Sequence, residues 1–208
     1  YSLISWLGRY PGVAQWLRMK AELSADMLRE WRDAITEYGG PECELSANAF
    51  MPPYTLLTGL DFARAAEHCH AVSPKLYTMH WSLMVKFWGD EILAANPDLD
   101  ETPLARTLVT LMDISDNPGP CHLDDYGYPA PDEPHPIPNE PQIRKIAKVC
   151  RATTGQAIVT PLVHGYGPPD DFRRRLQLVA DSDADGVWIN RYGYLGEEKL
   201  DAIADVWK

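Results

Sequence analysis

The sequence predicts an α/β protein in the form of a parallel (β/α) barrel, on three observations. Residues 44–50, 75–81, 156–164 and 186–192 are short apolar or β-branched runs with little polar alternation, as in parallel strands buried on both faces. A segment with helical apolar periodicity follows each run. This alternation of strands and helices implies right-handed crossovers between parallel strands.

Each predicted helix carries one narrow apolar stripe on an otherwise polar surface. The stripes, with spacings of three and four residues, are Phe62, Ala65, Ala66 and Cys69; Ile143, Ile146, Ala147 and Cys150; Phe172, Leu176 and Val179; and Leu200, Ile203, Ala204 and Trp207. Such helices cover an apolar surface on one side only. A longer helix at residues 12–38, with Leu23, Met27, Trp31 and Ile35 at steps of four, precedes the first strand.

The number of strand–helix units indicates how much of a barrel the chain contains. A complete (β/α)8 barrel needs eight units in about 250 residues. The 208 residues contain four predicted strands, so we expect one domain, residues 1–208, that supplies strands five to eight. The helix at 12–38 is then helix four, and the earlier strands lie upstream of Tyr1. The Gly-rich turns of nucleotide-binding folds, GxGxxG and GxxxxGK[ST], do not occur.

A long insertion, residues 82–141, follows the second predicted strand. It contains two helical segments, at about 82–96 and 103–114, and a Pro-rich stretch over 118–141. The C-terminal ends of barrel strands are where active sites form. A long structured loop at that position is typical of a lid or a binding wall.

Composition excludes several partner classes. The net charge of −11 disfavours nucleic acid and anionic membrane surfaces, because both repel an acidic protein. No run approaches 18 consecutive apolar residues, so no membrane span is predicted. The cysteines, Cys43, Cys69, Cys121 and Cys150, form no CxxC pair or zinc-ribbon spacing. We expect buried free thiols, which favours a cytoplasmic location, and we expect no cofactor.

Three segments resemble a known family. VSPKLYTMHW (residues 72–81) is similar to the sixth strand of glycoside-hydrolase-like TIM-barrel proteins, and LSANAFMPP (residues 45–53) is similar to their fifth strand. DADGVWINRYGYLGEEKLDAI (residues 183–203) resembles their closing strand and helix. The resemblance covers nearly the whole chain. It implies a carbohydrate substrate and, in an enzyme, an acid/base residue on strand four, upstream of this chain.

The end of predicted strand seven departs from the pattern of retaining glycosidase barrels. Those barrels resemble one another in a Glu at the ends of strands four and seven, whereas residues 162–166 read LVHGY and contain no carboxylate. Residues 139–141 spell NEP, an acid/base signature, but they directly precede a predicted helix. We expect Glu140 to be a first-turn residue favoured by the helix dipole.

Three residues are predicted to be catalytic. Glycoside cleavage uses two carboxyl groups on opposite sides of the bond. Asp124 and Asp125, in the HLDDYGY segment of the insertion, are the acids that could reach the barrel mouth. A solvated turn is the other interpretation of this segment, since Asp and Gly are common turn formers. His164, at the end of the third predicted strand, completes the set.

A second group of polar and aromatic residues is predicted to bind substrate. Its members are Asn48, Lys75, Tyr77, His80, Trp81, Tyr126, Tyr166, Asn190, Arg191 and Tyr192. Such side chains at the ends of neighbouring parallel strands converge at the barrel mouth, where they can form one pocket. For Lys75, a position that snorkels to solvent is the alternative. Trp188 is expected in the core, and His135 in a loop with no evident partner.

These observations predict a carbohydrate-active hydrolase that cleaves or binds a glycan at the C-terminal face of the barrel. Two alternatives stay open: a metal-dependent barrel hydrolase that uses His80, His164 and an Asp, and a non-catalytic carbohydrate-binding barrel. No metal site is predicted from the visible residues. An isolated half barrel would leave two strand edges open, so a homo-oligomer is expected if the half barrel exists alone.

Overall fold

The computed structural model describes residues 8–116, 119 and 121–207. Its helices are α1 (Pro11–Gly39), α2 (Tyr54–Thr58), α3 (Phe62–Ala66), α4 (Thr78–Ala95), α5 (Glu101–Leu111), α6 (Asn139–Ala152), α7 (Pro169–Ala180) and α8 (Glu197–Val206). Its strands are β1 (Ser46–Phe50), β2 (Ala71–Leu76), β3 (Ile158–Val159), β4 (Leu162–His164) and β5 (Trp188–Asn190). Two 3₁₀ turns, Leu123–Tyr126 and Tyr192–Tyr194, complete the regular structure.

All strand pairs are parallel, in the order β1-β2-β4-β5. The short strand β3 pairs with the first half of β2. Strand β4 pairs with the second half of β2. They are two parts of one predicted strand, interrupted at Pro161, which has no N–H to donate to a neighbour. The predicted α/β class with a parallel sheet is confirmed.

The core lies on one face of the sheet. Side chains alternate between the two faces of a strand. Leu76 and Val163 point into the larger apolar cluster, where they meet Ile146, Phe172 and Val179 of α6 and α7. A smaller cluster covers β1 and the start of β2; it contains Leu28, Ala47, Ala49, Phe62, Ala65, Cys69, Val72, Val149 and Val159. The stripes that begin at Phe62 and Phe172 are buried against this side of the sheet, as predicted. The predicted stripes of α1 and α8 were wrong, because Leu23, Met27 and Trp31 of the first and Leu200 and Trp207 of the second are exposed. The buried residues of these two helices are instead Ala21 and Leu28 in α1 and Lys199 and Ala202 in α8.

The opposite face of the sheet is not covered by any described helix. Strand register places Lys75, Leu162 and Trp188 in one row and His164 beside Asn190 on this face. Apolar groups are exposed on it: Ile158 is 50% and Trp188 57% accessible. The expectation that Trp188 lies in the core was therefore wrong, because its alternation directs the ring to the uncovered side.

The second predicted strand is displaced along the sequence. It was predicted at residues 75–81 but is Ala71–Leu76, and α4 begins at Thr78. His80 and Trp81 therefore lie in the first helical turn instead of a strand. Thr78, Trp81, Ser82 and Val85 are buried with the three- and four-residue spacing of one helix side, and that helical spacing overrode the β-like composition of the segment.

The insertion is packed, with its later part tied back to the helices. Leu123 is buried against α4, and its N–H donates to the Glu101 carboxylate of α5 at 2.8 Å. Ser82 donates to the carbonyl of Gly127 at 3.1 Å. The Tyr166 hydroxyl donates to the Pro129 carbonyl at 2.8 Å. These contacts hold the Pro-rich segment over the C-terminal ends of β2 and β4, which we call the mouth.

Cysteine pairing and membrane crossing can also be compared with the structure. All four cysteines are free thiols; Cys69 and Cys121 are buried as expected, whereas Cys43 is exposed. Among the helices that the structure describes, none has the length and apolarity that a membrane crossing requires.

Replacing Gly89 tests the packing of the insertion on α4. A Cβ at Gly89 would lie 2.2 Å from Cδ2 of Leu123, which is itself buried. We expect Gly89→Ala to lower the free energy of unfolding by about 1–3 kcal/mol through overpacking. Gly12→Ala, in the first turn of α1 with nothing within 4 Å of the new Cβ, is the control and should not destabilise the protein. Urea denaturation measures both, and a Gly89→Ala protein as stable as the wild type would contradict the packing.

Candidate functional site

The turn that follows β4 is fixed by two buried cations. Arg175 of α7 donates from Nη1 to the carbonyl of His164 at 2.8 Å and from Nη2 to that of Tyr166 at 2.7 Å. Lys199 of α8 donates from Nζ to the carbonyl between them, on Gly165, at 2.7 Å. Three successive carbonyl groups are thereby held, so the side chains of His164 and Tyr166 project from a rigid backbone.

Arg175 is fully buried, and its charge is balanced within its own helix. Its Nε donates to Oδ2 of Asp171 at 2.8 Å, one helical turn earlier. Arg174 donates to the other carboxylate oxygen, Oδ1, at 2.6 Å. Nearby arginines lower the pKa of Asp171 despite the burial that opposes them, so the carboxylate stays charged. A buried ion pair is tolerated only when its hydrogen-bonding groups are satisfied in this way.

The hydrogen bonds of His164 define its protonation state. The N–H of Tyr166 donates to Nδ1 of the ring at 3.0 Å, so Nδ1 is an acceptor and the proton of the neutral ring lies on Nε2. Burial, followed by the charge of Arg175, lowers the pKa of His164 to about 4. At neutral pH the residue is therefore an N–H donor. The catalytic role predicted for His164 stays a prediction. In this state the residue could donate a hydrogen bond from Nε2, but it carries no extra proton to transfer as a general acid.

Six rings meet at the mouth, and we call them the ring cluster: Tyr77, His80, Tyr128, His164, Tyr166 and Tyr194. Tyr77 lies edge-on to His164, with 4.9 Å between the ring centroids, and 5.5 Å from His80. Tyr194 is 5.7 Å from both His164 and Tyr166. The cluster combines residues that follow β2, β4 and β5 with Tyr128 of the insertion, so distant segments form one surface.

Polar groups connect the ring cluster to the sheet. Asn190 donates from Nδ2 to the hydroxyl of Tyr77, which joins the ends of β5 and β2. Burial raises the pKa of Tyr77, so its hydroxyl stays protonated. Arg191, the next residue, has a φ of 72°, a conformation that is uncommon for residues other than glycine. Tyr192 follows and is 79% exposed.

His135 links the insertion to the start of α4. Its Nδ1 lies 2.6 Å from the hydroxyl of Thr78, and both residues are buried. Burial is the main cause that lowers the pKa of His135 to about 3, and the charge of Arg175 adds to it. The prediction that this residue has no partner was wrong, because Thr78 meets it across 57 positions of sequence.

The structure brings together six of the predicted site residues. Tyr77, His80, His164, Tyr166, Asn190 and Arg191 lie at the mouth. Lys75 and Asn48 lie on the uncovered face below it, one strand apart. Trp81 was predicted to bind substrate, but it is buried in the core against Lys145, with 5.3 Å between Nζ and the ring. Its helical position turns the ring away from the mouth.

The insertion residues among the predicted set have other contacts. Asp124 is paired with Lys86 of α4 at 2.7 Å, and Asp125 accepts from the N–H of His122 at 2.8 Å in a capping interaction. Tyr126 packs against the larger core cluster, where burial and Cys121 raise its pKa to about 12. None of the three contacts the ring cluster in the part of the chain described.

Three functional residues were not predicted: Arg175, Asp171 and Lys199. Asp171 and Arg175 are four residues apart on the side of α7 that carries Phe172 and Leu176, and that placement was a signal available from the sequence. No spacing pattern in the sequence pointed to Lys199. Within the described residues, no group of three or more His, Cys, Asp or Glu side chains is arranged to hold a metal ion.

Comparison with models of known protein families, with curated proteins and with solved structures gives no significant match. The function is therefore inferred from the chemistry of the mouth.

Removing the buried guanidinium tests its role in fixing the mouth. Arg175→Met leaves the Asp171 carboxylate short of a partner and two carbonyls unbonded, so we expect a loss of about 3–5 kcal/mol in unfolding free energy. Arg173→Met, two positions away, breaks only an exposed pair with Asp205 and should cost less than about 1 kcal/mol. If urea denaturation gave the same loss of unfolding free energy for both variants, the buried network would stabilise the protein no more than an exposed ion pair does.

The two buried histidines predict a pH dependence of stability. In the unfolded chain histidine titrates near pH 6.5, whereas folded His135 and His164 have pKa values of about 3 and about 4. The unfolded state therefore binds more protons below about pH 6.5, and the unfolding free energy should fall as the pH is lowered from that point towards 4.

Urea denaturation between about pH 7.5 and 5 measures this dependence. His135→Gln should reduce the slope, whereas His122→Gln, which removes an exposed histidine, should preserve it. A slope that is unchanged in His135→Gln would refute the assignment.

Proposed function

We propose that this protein is a carbohydrate-active, glycoside-hydrolase-like barrel protein that binds a glycan at the mouth. The observation that carries the proposal is the ring cluster, which lies where three parallel strands end. Ligand sites of parallel α/β folds form at the carboxyl ends of the strands.

The ring cluster has the chemistry that a sugar requires. Pyranose rings have apolar C–H faces and a rim of hydroxyl groups, and tyrosine offers an apolar ring with a polar edge. Tyr128 is 44% exposed and Tyr194 48%, so their rings are available for stacking. His164 contributes a fixed N–H donor beside them. Apolar surface with a few oriented polar groups is the usual composition of small-molecule sites.

The uncovered face of the sheet supports the barrel interpretation. Helices pack on one side, while Ile158 and Trp188 are exposed on the other. In the described chain β1 and β5 are the outer strands of the sheet. Four more parallel strands joined to these two edges would enclose that face and complete an eight-stranded barrel, in which the present strands are five to eight.

Hydrolysis would need carboxyl groups near the bound sugar, and no hydrogen bond or ion pair within the described residues places one on the ring cluster. Asp124 and Asp125 are engaged elsewhere. Burial is the main cause that raises the pKa of Tyr166, and the charges of Asp132 and Glu133 add to it, so these two acids lie near the cluster. Because glycoside cleavage uses two carboxyl groups, we propose that the strands completing the barrel supply the acid/base residue.

Substitution of an exposed ring tests the carbohydrate proposal. Tyr128→Ala removes a stacking surface, and we expect binding of the recognised sugar to weaken about three- to tenfold. Tyr38→Ala, which removes an equally large exposed ring at the end of α1, is the control and should have no effect. Cellotriose, xylotriose, mannotriose, maltotriose and trigalacturonate are suitable probes for an NMR titration. Failure of all five to bind, or equal binding by both variants, would refute the proposal.

A further inference from the structure

Two cations lack a counterion: Arg191 at the mouth and Lys75 on the uncovered face just below it. Within the described chain, neither Lys75 nor the Arg191 side chain forms a hydrogen bond or an ion pair; the Nζ of Lys75 only faces the Phe50 ring at 5.1 Å. The other cations near the mouth are engaged, Arg175 with Asp171 and Lys199 with carbonyl groups. Unpaired cations at a sheet end are available to a ligand.

Burial is the largest cause that lowers the pKa of the two mouth histidines, and neighbouring cations add to it. Lys75 adds to burial in lowering the pKa of His80. The charges of Arg175, Arg191 and Lys199 likewise add to burial in lowering the pKa of His164. The chain as a whole, by contrast, has a net charge of −11. The mouth is thus a positive region on an acidic protein.

A helix end adds to this field. The 18-residue helix α4 begins at the mouth with Tyr77 as its N-cap, with no side-chain cap and no acidic residue in its first turn. The positive end of the helix dipole favours a negative charge at such a position. His80, in that turn, belongs to the ring cluster.

The backbone of Arg191 has a left-handed conformation, which is strained for arginine but would not be strained for glycine. Its φ and ψ are 72° and 75°. Strain of this kind in a residue other than glycine is found mainly where the side chain has a function. Gly165 accommodates the strained turn, because a Cβ there would lie 3.3 Å from the carbonyl oxygens of Asn190 and Arg191.

We propose that the sugar bound at the mouth carries an anionic group, either a carboxylate, a sulfate or a phosphate. The group lies between His80 and His164, with Lys75 on one side, Arg191 on the other and the N-terminus of α4 beside it. Neutral His164 donates from Nε2 to an oxygen of the anion. This assignment rests on the proposed carbohydrate function and names the class of sugar.

The acids of the insertion define the opposite side of the site. Asp132 and Glu133 add to burial and Tyr194 in raising the pKa of Tyr166, the ring that bonds the insertion at Pro129. Glu133 also accepts from the N–H of Ala130 at 2.9 Å. A bound anion therefore lies on the sheet side of the ring cluster, away from these carboxylates.

Matched pairs of sugars that differ only in charge test the proposal. The pairs are methyl β-glucuronide with methyl β-glucoside, methyl α-galacturonide with methyl α-galactoside, and glucose 6-sulfate or glucose 6-phosphate with glucose. We expect the charged member of at least one pair to bind about tenfold more tightly in an NMR titration at low salt. The preference should shrink at about 0.5 M NaCl, because screening weakens exposed charge pairs.

Variants locate the preference. Lys75→Met retains the packing on Phe50 without the charge, and Arg191→Asn places a residue that tolerates positive φ. Each should reduce the charged-to-neutral ratio about three- to tenfold, and Lys75→Arg should restore it. Arg29→Gln on α1 changes the net charge equally but far from the mouth and should have no effect. The His164 ring ¹⁵N signals should show a proton on Nε2 and shift when the anion binds.

The outcomes separate this inference from the proposed function. Equal binding within every pair, or a preference that survives in Lys75→Met and Arg191→Asn, would overturn the anionic assignment and keep the carbohydrate function. Binding of sodium sulfate with no binding of any sugar would support an anion site and refute the carbohydrate function. Binding of neither sulfate nor sugars would refute both.

Discussion

A buried positive charge constrains this end of the molecule. Arg175 has no access to water, so its guanidinium must find a carboxylate and carbonyl acceptors inside the protein. Asp171 supplies the first, and the carbonyls of His164 and Tyr166 supply the others. Helix α7 and the end of β4 are thereby one rigid unit. The bond from the Tyr166 N–H to His164 exists because that backbone is held, and it determines which ring nitrogen of His164 carries the proton.

Burial on a single face of the sheet explains the rest of the architecture. Leu76 and Val163 anchor the helices on one side, and the same alternation sends Lys75, His164 and Asn190 to the other. A parallel sheet normally has both faces covered, because crossover helices or a closed barrel exclude water from it. Here the polarity of the uncovered face changes along the strands. Apolar groups occupy its lower part, as Ile158 and Trp188 do, and polar rings occupy the mouth.

Much of the fold was predictable, since strand–helix alternation and apolar stripes depend on local spacing. The order of the strands and their parallel pairing followed from it. Residues 78–81 were misassigned because Thr, Met, His and Trp suit a strand by composition, and the buried stripe that makes them helical continues over the following turns. His80 still reached the mouth, since the first turn of α4 begins there. Asp124 and Asp125 did not, because the partners that hold them, Lys86 and His122, are specified by how the insertion folds.

The protonation of the site follows from its electrostatics. Burial and neighbouring cations keep His164 neutral, and burial keeps the hydroxyl of Tyr77 protonated, so neither gains a charge near neutral pH. Lys75 and Arg191 add positive charges that no described side chain pairs. An arrangement of oriented N–H and O–H groups between two cations attracts a negative ligand without a change of protonation, and its attraction depends on ionic strength more than on pH. The buried carboxylate behind His164, that of Asp171, does not cancel this attraction, because Arg174 and Arg175 pair with it within α7.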